Sequence, residues 1–179
     1  MNKNVLVIST SPRMGGNSEK LAEAFAQGAR EAGHEAQIVR LFDKSIAFCK
    51  GCLACQKTGR CVIADDMQSI SEKMQKADVI AFATPIYFYE MCGQMKTLLD
   101  RTNPLFPSDY AFRDIYLLAT AADTRESAME RAIAGLQGWV DCFDQATLAG
   151  VVCGVGADAV GSIEGNPALQ KALDLGRRL

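Results

Sequence analysis

The chain has 179 residues, of which 49% are hydrophobic and 22% charged, and its formal net charge is −2. A chain of this length suits one globular domain, so we expect a single domain over residues 1–179. The balanced charge gives no electrostatic basis for binding nucleic acid or an anionic membrane. No apolar run approaches the roughly 18 residues of a membrane span, and residues 1–20 lack a signal-peptide pattern. We therefore expect a cytoplasmic protein.

The N-terminal stretch predicts a strand, a polar loop and a helix in that order. Val5–Ile8 is a short β-branched apolar run, typical of a buried parallel strand. Hydroxyl and amide side chains follow at once, with one arginine, before a helical pattern begins at Ser18. Loop hydroxyls, backbone N–H groups at the helix start and the charge of Arg13 together favour an anion-binding site. The alternative is an ordinary turn in which Asn17 or Ser18 only caps the helix.

The rest of the chain alternates between predicted strands and helices. Four further strands are expected at Ala36–Leu41, Val79–Ala83, Asp114–Thr120 and Thr147–Cys153. Helices are expected at Ser18–Ala32, from Asp65 or Asp66 to Ala77, at Gly93–Thr102, at Glu126–Phe143 and from near Pro167. An insertion at Phe42–Ala64, after the second strand, carries four cysteines. This alternation predicts an α/β fold with a doubly wound, five-stranded parallel sheet.

The position of the anion loop predicts the strand order. A loop of this kind after the first strand is typical of flavodoxin-like folds, whose order is 2-1-3-4-5. The ligand crevice of such a sheet lies at the carboxyl ends of the first and third strands. The segment after the third strand, Thr84–Tyr89, combines a proline with three aromatic residues. Tyr87 and Phe88 offer flat apolar surfaces and the backbone after Pro85 offers donors, which suits a flavin ring. The alternative is that Phe88 and Tyr89 only pack under a loop.

Both segments resemble the NADPH-dependent FMN reductase family. Ser9-Thr10-Ser11-Pro12-Arg13 with Asn17-Ser18 resembles the phosphate loop of that family, and Thr84 to Phe88 followed by Gly93 to Arg101 resembles its second flavin segment. The resemblance implies that the FMN phosphate is bound by Ser9, Ser11, Arg13, Asn17 and Ser18. It implies that the flavin ring lies along Pro85, Ile86, Tyr87 and Phe88, with Ala121 and Ala122 from a third loop. Lys96, Asp100 and Arg101 are expected to hold their helix and a subunit contact.

The cysteines form a second candidate site. Seven cysteines would leave one over in a fully paired disulfide scheme, so thiols or thiolate ligands fit better. Four of them have the spacing C-x2-C-x2-C-x5-C, at Cys49, Cys52, Cys55 and Cys61. Three thiolates two residues apart can wrap a cubane, and a fourth closes it. Zinc and metal-free cysteines, reduced or disulfide-linked, stay open as alternatives.

The cysteine segment, with the Asp65-Asp66-Met67 that follows it, resembles the motif of iron–sulfur flavoproteins. That resemblance implies a 4Fe–4S cluster close to the FMN, often across a subunit interface. The family resemblance as a whole implies an FMN-dependent NAD(P)H oxidoreductase that reduces a quinone, a flavin or a similar acceptor, without a catalytic side chain, because the flavin carries the chemistry. The alternatives are an iron–sulfur flavoprotein carrying electrons between ferredoxin-type partners and an acceptor, and a non-redox metal-binding module. A homodimer or homotetramer is expected.

Overall fold

A computed structural model describes residues 2–179 as one β-sheet with helices packed on both faces. The strands are β1 (Asn4–Ser9), β2 (Glu35–Arg40), β3 (Val79–Tyr87), β4 (Glu90–Met91), β5 (Asp114–Thr120) and β6 (Thr147–Gly154). The α-helices are α1 (Asn17–Glu31), α2 (Ala54–Thr58), α3 (Met67–Lys76), α4 (Gly93–Asp100), α5 (Glu130–Val140) and α6 (Pro167–Arg177). Within residues 2–179, no helix has the length and apolar character needed to cross a membrane.

The sheet has the predicted flavodoxin-like topology. Five strands run parallel in the order β2-β1-β3-β5-β6, which is the expected 2-1-3-4-5. The predicted count of five strands is one short, because β4 pairs antiparallel with the end of β3. β3 also continues past the predicted end at Ala83 as far as Tyr87. Pro85 resembles a loop signal, yet it is tolerated here because it makes the last pair with β5, opposite Thr120.

Alternate side chains of the central strands supply two apolar layers. Val5 and Val7 of β1 pack with Phe25 of α1 on one face of the sheet. Leu6 and Ile8 of the same strand pack on the other face, in the layer that α3, α4 and α5 cover. Burial on both faces explains why β1 is a continuous apolar run and not an alternating one. The carboxyl ends of these strands are therefore held in a rigid frame.

Two glycines allow α1 and α6 to cross closely. A Cβ atom on Gly28 would overlap the carbonyl oxygen of Leu173, and a Cβ atom on Gly176 would overlap the carbonyl oxygen of Phe25. Both obstacles are backbone atoms inside helices, so neither can move aside without bending its helix. The crossing therefore depends on the absence of a side chain at both positions.

Gly28→Ala is expected to lower the free energy of unfolding by about 1–3 kcal/mol, because the added methyl group overpacks the crossing. Alanine is nevertheless a better helix former than glycine by about 1 kcal/mol, so helix propensity alone predicts a higher free energy of unfolding. Urea unfolding measures the difference. The matched control is Gly138→Ala in α5, an exposed position where the added Cβ meets no atom of residues 2–179 within 4 Å. Stabilisation by both substitutions would contradict the proposed crossing.

Candidate flavin site and cysteine segment

The loop between β1 and α1 is preformed to receive an anion. Gly16 occupies the N-cap of α1 and has no side chain with which to accept the first N–H groups of the helix. The Ser11 hydroxyl donates to the Arg13 carbonyl at 2.8 Å and accepts from the Arg13 N–H at 3.1 Å. A Cβ on Gly16 would overlap that hydroxyl, so glycine is required for the loop to fold back. The N–H groups at the start of α1 are therefore available to an outside acceptor.

Ser18 has a hydroxyl that needs a partner. It lies in the first turn of α1, its side chain is buried, and its Oγ makes no hydrogen bond to any group of the described residues. A buried hydroxyl normally finds a partner, and leaving one unpaired costs about 1–3 kcal/mol. Ser9 and Ser11 are buried in the same region. A phosphate oxygen at the helix start would accept from the Ser18 hydroxyl, so these residues fit the phosphate end of FMN.

Asn17 and Arg13 contact a loop that the sequence did not single out. Asn17 Nδ2 donates to the carbonyl of Ala159 at 2.8 Å, and its Oδ1 accepts from the N–H of Gly161 at 3.1 Å. This side chain ties the start of α1 to the loop after β6, so its amide group already has protein partners. The exposed Arg13 reaches the same loop, with Nη2 3.5 Å from the carbonyl of Asp158. Phosphate binding by Asn17 and Arg13 stays a prediction.

β3 and β4 are joined by a turn with an unfavourable backbone. Tyr87 pairs with Glu90, and the two residues between them have positive φ, 52° at Phe88 and 64° at Tyr89. Positive φ at both central residues defines a type I′ turn, which normally takes Asn-Gly. Bulky residues in this region cost on the order of 1–3 kcal/mol each. Phe88 is also 98% exposed, so its own chain gives its ring no packing that offsets the strain.

A buried polar network connects the loop after β1 with the end of β3. The Thr10 hydroxyl donates to the carbonyl of Ala83 at 2.9 Å and lies 3.2 Å from Cys92 Sγ. The Thr84 hydroxyl accepts from the Cys92 N–H at 3.2 Å. The loop after β1, the end of β3 and the start of α4 are thus held at fixed separations. Thr10 and Thr84 lie inside the two flavin motifs, but nothing in the sequence shows that a cysteine joins them.

The third loop reaches the same edge of the sheet. Ala121 is buried: its N–H donates to the Gly154 carbonyl at 3.0 Å, and its carbonyl accepts from the Ala157 N–H at 2.8 Å. Ala122 is exposed. Three hydrogen bonds from Arg125, two from its side chain and one from its backbone N–H, hold the pKa of Asp123 well below its usual range. The pKa of Arg125 is raised, first by its hydrogen bond to Asp123 and further by the nearby Tyr89. Arg125 therefore lies between the third loop and the aromatic turn.

The cysteine segment gathers its four thiols around one space. A small cavity of about 20 Å³ is lined by the four motif cysteines, Cys49, Cys52, Cys55 and Cys61. Burial raises the pKa of the Cys55 thiol, and the other three cysteines add to the rise. All seven cysteines are free thiols. Among residues 2–179, no group of three or more His, Cys, Asp and Glu side chains is arranged to hold a metal ion.

The donor set has the chemistry of a cluster site. Four cysteine thiolates are the ligands of a 4Fe–4S cubane, and four thiolates also bind structural zinc. A cavity of about 20 Å³ accommodates roughly one water molecule. Residues 49–53 are exposed and contain two positive-φ positions, Gly51 and Leu53. A cluster would therefore need an outward movement of this exposed loop.

A much larger cavity, of about 540 Å³, lies away from these loops. It is lined by residues at the start of β1 and β2, with His34 and Lys73 among them. Amino ends of parallel strands lie at the sheet edge opposite the carboxyl ends, so this cavity is on the wrong side for the predicted ligand loops. The chemistry of the loops at the carboxyl edge, and not the volume of a cavity, identifies the candidate flavin site.

A family model described as NADPH-dependent FMN reductase matches residues 3–158. The chain belongs to the NADPH-dependent FMN reductase family. The family's cofactor is FMN and its electron donor is a nicotinamide nucleotide, as the sequence motifs predicted. The resemblance stated from the two flavin motifs is thereby confirmed.

The relatives include iron–sulfur flavoproteins and NAD(P)H-dependent oxidoreductases. An iron–sulfur flavoprotein of Methanosarcina thermophila is 36% identical over 74% of this chain and 70% of its own length. An NAD(P)H dehydrogenase (quinone) of Geotalea uraniireducens is 32% identical over 67% of this chain and 59% of its own. Across three iron–sulfur flavoproteins, the matched segment spans 52% to 70% of their lengths.

Solved structures confirm the fold. An NAD(P)H:quinone oxidoreductase from Methanothermobacter marburgensis has a TM-score of 0.74 and 19% identity, covering 99% of this chain and 98% of that one. A flavodoxin, WrbA-like protein from Agrobacterium tumefaciens has a TM-score of 0.65 and 16% identity, covering 99% and 94%. At such low identity these likenesses establish the flavodoxin-like fold alone.

Ser18→Ala is expected to weaken FMN binding by about 1–3 kcal/mol, because it removes a donor to the phosphate. The same change is expected to leave the unfolding free energy of the apoprotein unchanged or higher, since it deletes a buried hydroxyl without a partner. Fluorescence titration of apoprotein with FMN measures the first effect and urea unfolding the second. Equal FMN affinity in both proteins would remove Ser18 from the phosphate site.

The double substitution of Phe88→Asn with Tyr89→Gly is expected to stabilise the apoprotein by about 1–3 kcal/mol. Asn-Gly is the preferred sequence of a type I′ turn, so the backbone strain is relieved. Loss of both aromatic surfaces is expected to slow flavin reduction by the nicotinamide donor. Thermal unfolding and stopped-flow absorbance measure the two effects. A destabilised apoprotein would show that the turn is not strained.

Proposed function

We propose that this chain, as a single FMN-binding domain over residues 1–179, oxidises NAD(P)H and reduces a quinone, a flavin or a similar small acceptor. One observation carries the proposal. The uncapped start of α1, with the buried Ser18 hydroxyl, and the exposed aromatic turn at Phe88 meet at one edge of the sheet. Membership of the NADPH-dependent FMN reductase family supports it.

The residues of the phosphate loop bind and orient the cofactor. The N–H groups of the first turn of α1 and the hydroxyls of Ser9, Ser11 and Ser18 donate to the phosphate. Arg13 adds a full positive charge at the rim. The Asn17 side chain fixes the helix start by its bonds to the loop after β6. These residues would hold the phosphate at the start of α1.

The residues of the aromatic turn and the third loop orient the ring. Pro85 and Ile86 offer backbone along one side of it, and Ala121 and Ala122 line another. Bound FMN supplies the hydride acceptor and the electron carrier. Tyr87 and Phe88 would offer the flavin ring an apolar surface, and the donor ring, and afterwards the acceptor, would stack on the flavin itself. This half-reaction requires no general acid or base from the protein.

A second candidate function is electron transfer between a ferredoxin-type partner and an acceptor, through a 4Fe–4S cluster on the four motif cysteines. The observation that favours it is the single cavity that all four thiols line. Relatives named iron–sulfur flavoprotein support the same function. A homodimer or homotetramer, which the family resemblance implies, is part of the proposal. A cytoplasmic location is proposed from the seven thiols, which a reducing compartment preserves.

The two candidates give different results when the FMN-loaded protein is mixed with electron donors without oxygen. NADPH or NADH is expected to bleach the flavin band near about 450 nm within a catalytic timescale. Stopped-flow absorbance measures the rate for each donor. If both nucleotides leave the band intact while reduced ferredoxin bleaches it, electron carriage replaces the oxidoreductase function.

A further inference from the structure

Arg101, which follows α4, is a charged residue buried in the core. Its side chain is 0% exposed, and the expected subunit contact at this position stays a prediction. Nη1 donates to the carbonyl of Ala47 and to Asp65 Oδ2, both at 2.7 Å. Nη2 donates to Asp65 Oδ1 at 2.9 Å. A guanidinium has five N–H groups, so these bonds use three of them.

The Arg101–Asp65 pair clamps both ends of the cysteine segment. Asp65 follows Cys61 in the chain and also accepts from the Ala47 N–H at 2.9 Å, while Ala47 precedes Cys49. Hydrogen bonding by Arg101 is the main reason why the pKa of Asp65 is lowered. The bonds of Nη1 and Nη2 to Asp65 and Ala47 are sufficient for this structural role. They do not explain why the third nitrogen of the guanidinium, Nε, is buried as well.

The remaining edge of the guanidinium has no partner among residues 2–179, and Arg101 shares a cavity with one of the motif cysteines. Arg101 Nε is buried and has no acceptor within the part of the chain that the structure describes. Arg101 and Cys61 line the same cavity of about 230 Å³, and Cys61 also lines the space shared by the four thiols. A buried N–H of a charged group costs free energy unless an acceptor is present.

We propose that Arg101 is a positioning residue for the cluster: its Nε–H donates to the sulfur of Cys61 when that cysteine is a ligand. This inference rests on the cluster of the proposed function. Hydrogen bonds to ligand sulfurs are one of the levers by which a protein sets the reduction potential of an iron–sulfur cluster, since they disperse negative charge. Arg101 thereby couples the fold of the segment to the potential of its cluster.

Arg101→Lys tests the proposal in protein prepared without oxygen. Lysine keeps the charge but loses the Nε–H and the planar fork. The expected result is a more negative midpoint potential of the cluster in an EPR-monitored redox titration, with FMN content unchanged. The matched control is Arg60→Lys, the same substitution beside Cys61 at an exposed position. An Arg101→Lys protein whose potential equals that of wild type overturns the proposal.

A measurement on the wild-type sequence removes any dependence on the folding of a variant. Protein labelled with ¹⁵N in its arginine guanidinium groups is expected to show a ¹⁵N coupling to the reduced cluster in pulsed EPR. The coupling is expected to persist in labelled Arg60→Lys protein. Its absence from iron-loaded wild-type protein overturns the role of Arg101 alone. Wild-type protein that binds FMN but no iron or sulfide overturns the cluster, and the role of Arg101 with it.

Discussion

The pairing of β1 with β3 is the constraint on which the candidate flavin site depends. The two strands are matched from Val5 opposite Val79 to Ser9 opposite Ala83, so the last residue of β1 lies beside Ala83, from which β3 continues to Tyr87. The Thr10 N–H continues the pairing with a bond to the carbonyl of Ala83 at 2.8 Å. Two loops that are far apart in the chain are thus brought side by side. Without that pairing, the start of α1 and the aromatic turn would belong to separate surfaces.

The order of the parallel strands could be predicted because it follows from local patterns and one topological rule. Apolar runs and helical periodicity marked the elements, and the polar loop after β1 marked the switch point. The turn at Phe88 and Tyr89 could not be predicted, because its residues contradict the Asn-Gly preference of a type I′ hairpin. Pro85 resembles the start of a loop, which is why the sequence predicted that β3 ends at Ala83 and not at Tyr87. Local rules fail here at a strained segment, which is where a functional constraint is expected to override them.

Residue types at the candidate site were predictable, whereas their partners were not. Asn17 belongs to a polar loop by sequence, but its amide contacts Ala159 and Gly161, which lie 142 and 144 residues further along the chain. The partners of the charged residues Arg101 and Asp65 could not be predicted from the sequence either. Each resembles an exposed residue at a helix end, and only the packed structure shows that they neutralise one another in the interior. Long-range pairing of polar groups is set by the tertiary fold and leaves no periodic signal in the sequence.

One short helix connects the two candidate sites. α4 begins after Cys92, in the polar network below the flavin crevice, and ends before Arg101, at the clamp on the cysteine segment. About nine residue steps of about 1.5 Å each make this a spacer of roughly 13 Å. A helix of that length does not stretch or bend as a loop does, so the separation between the crevice floor and the clamp is fixed by the fold. The same helix carries a contact to each candidate site at its two ends, through Cys92 and Arg101, so a displacement of one candidate site is transmitted to the other.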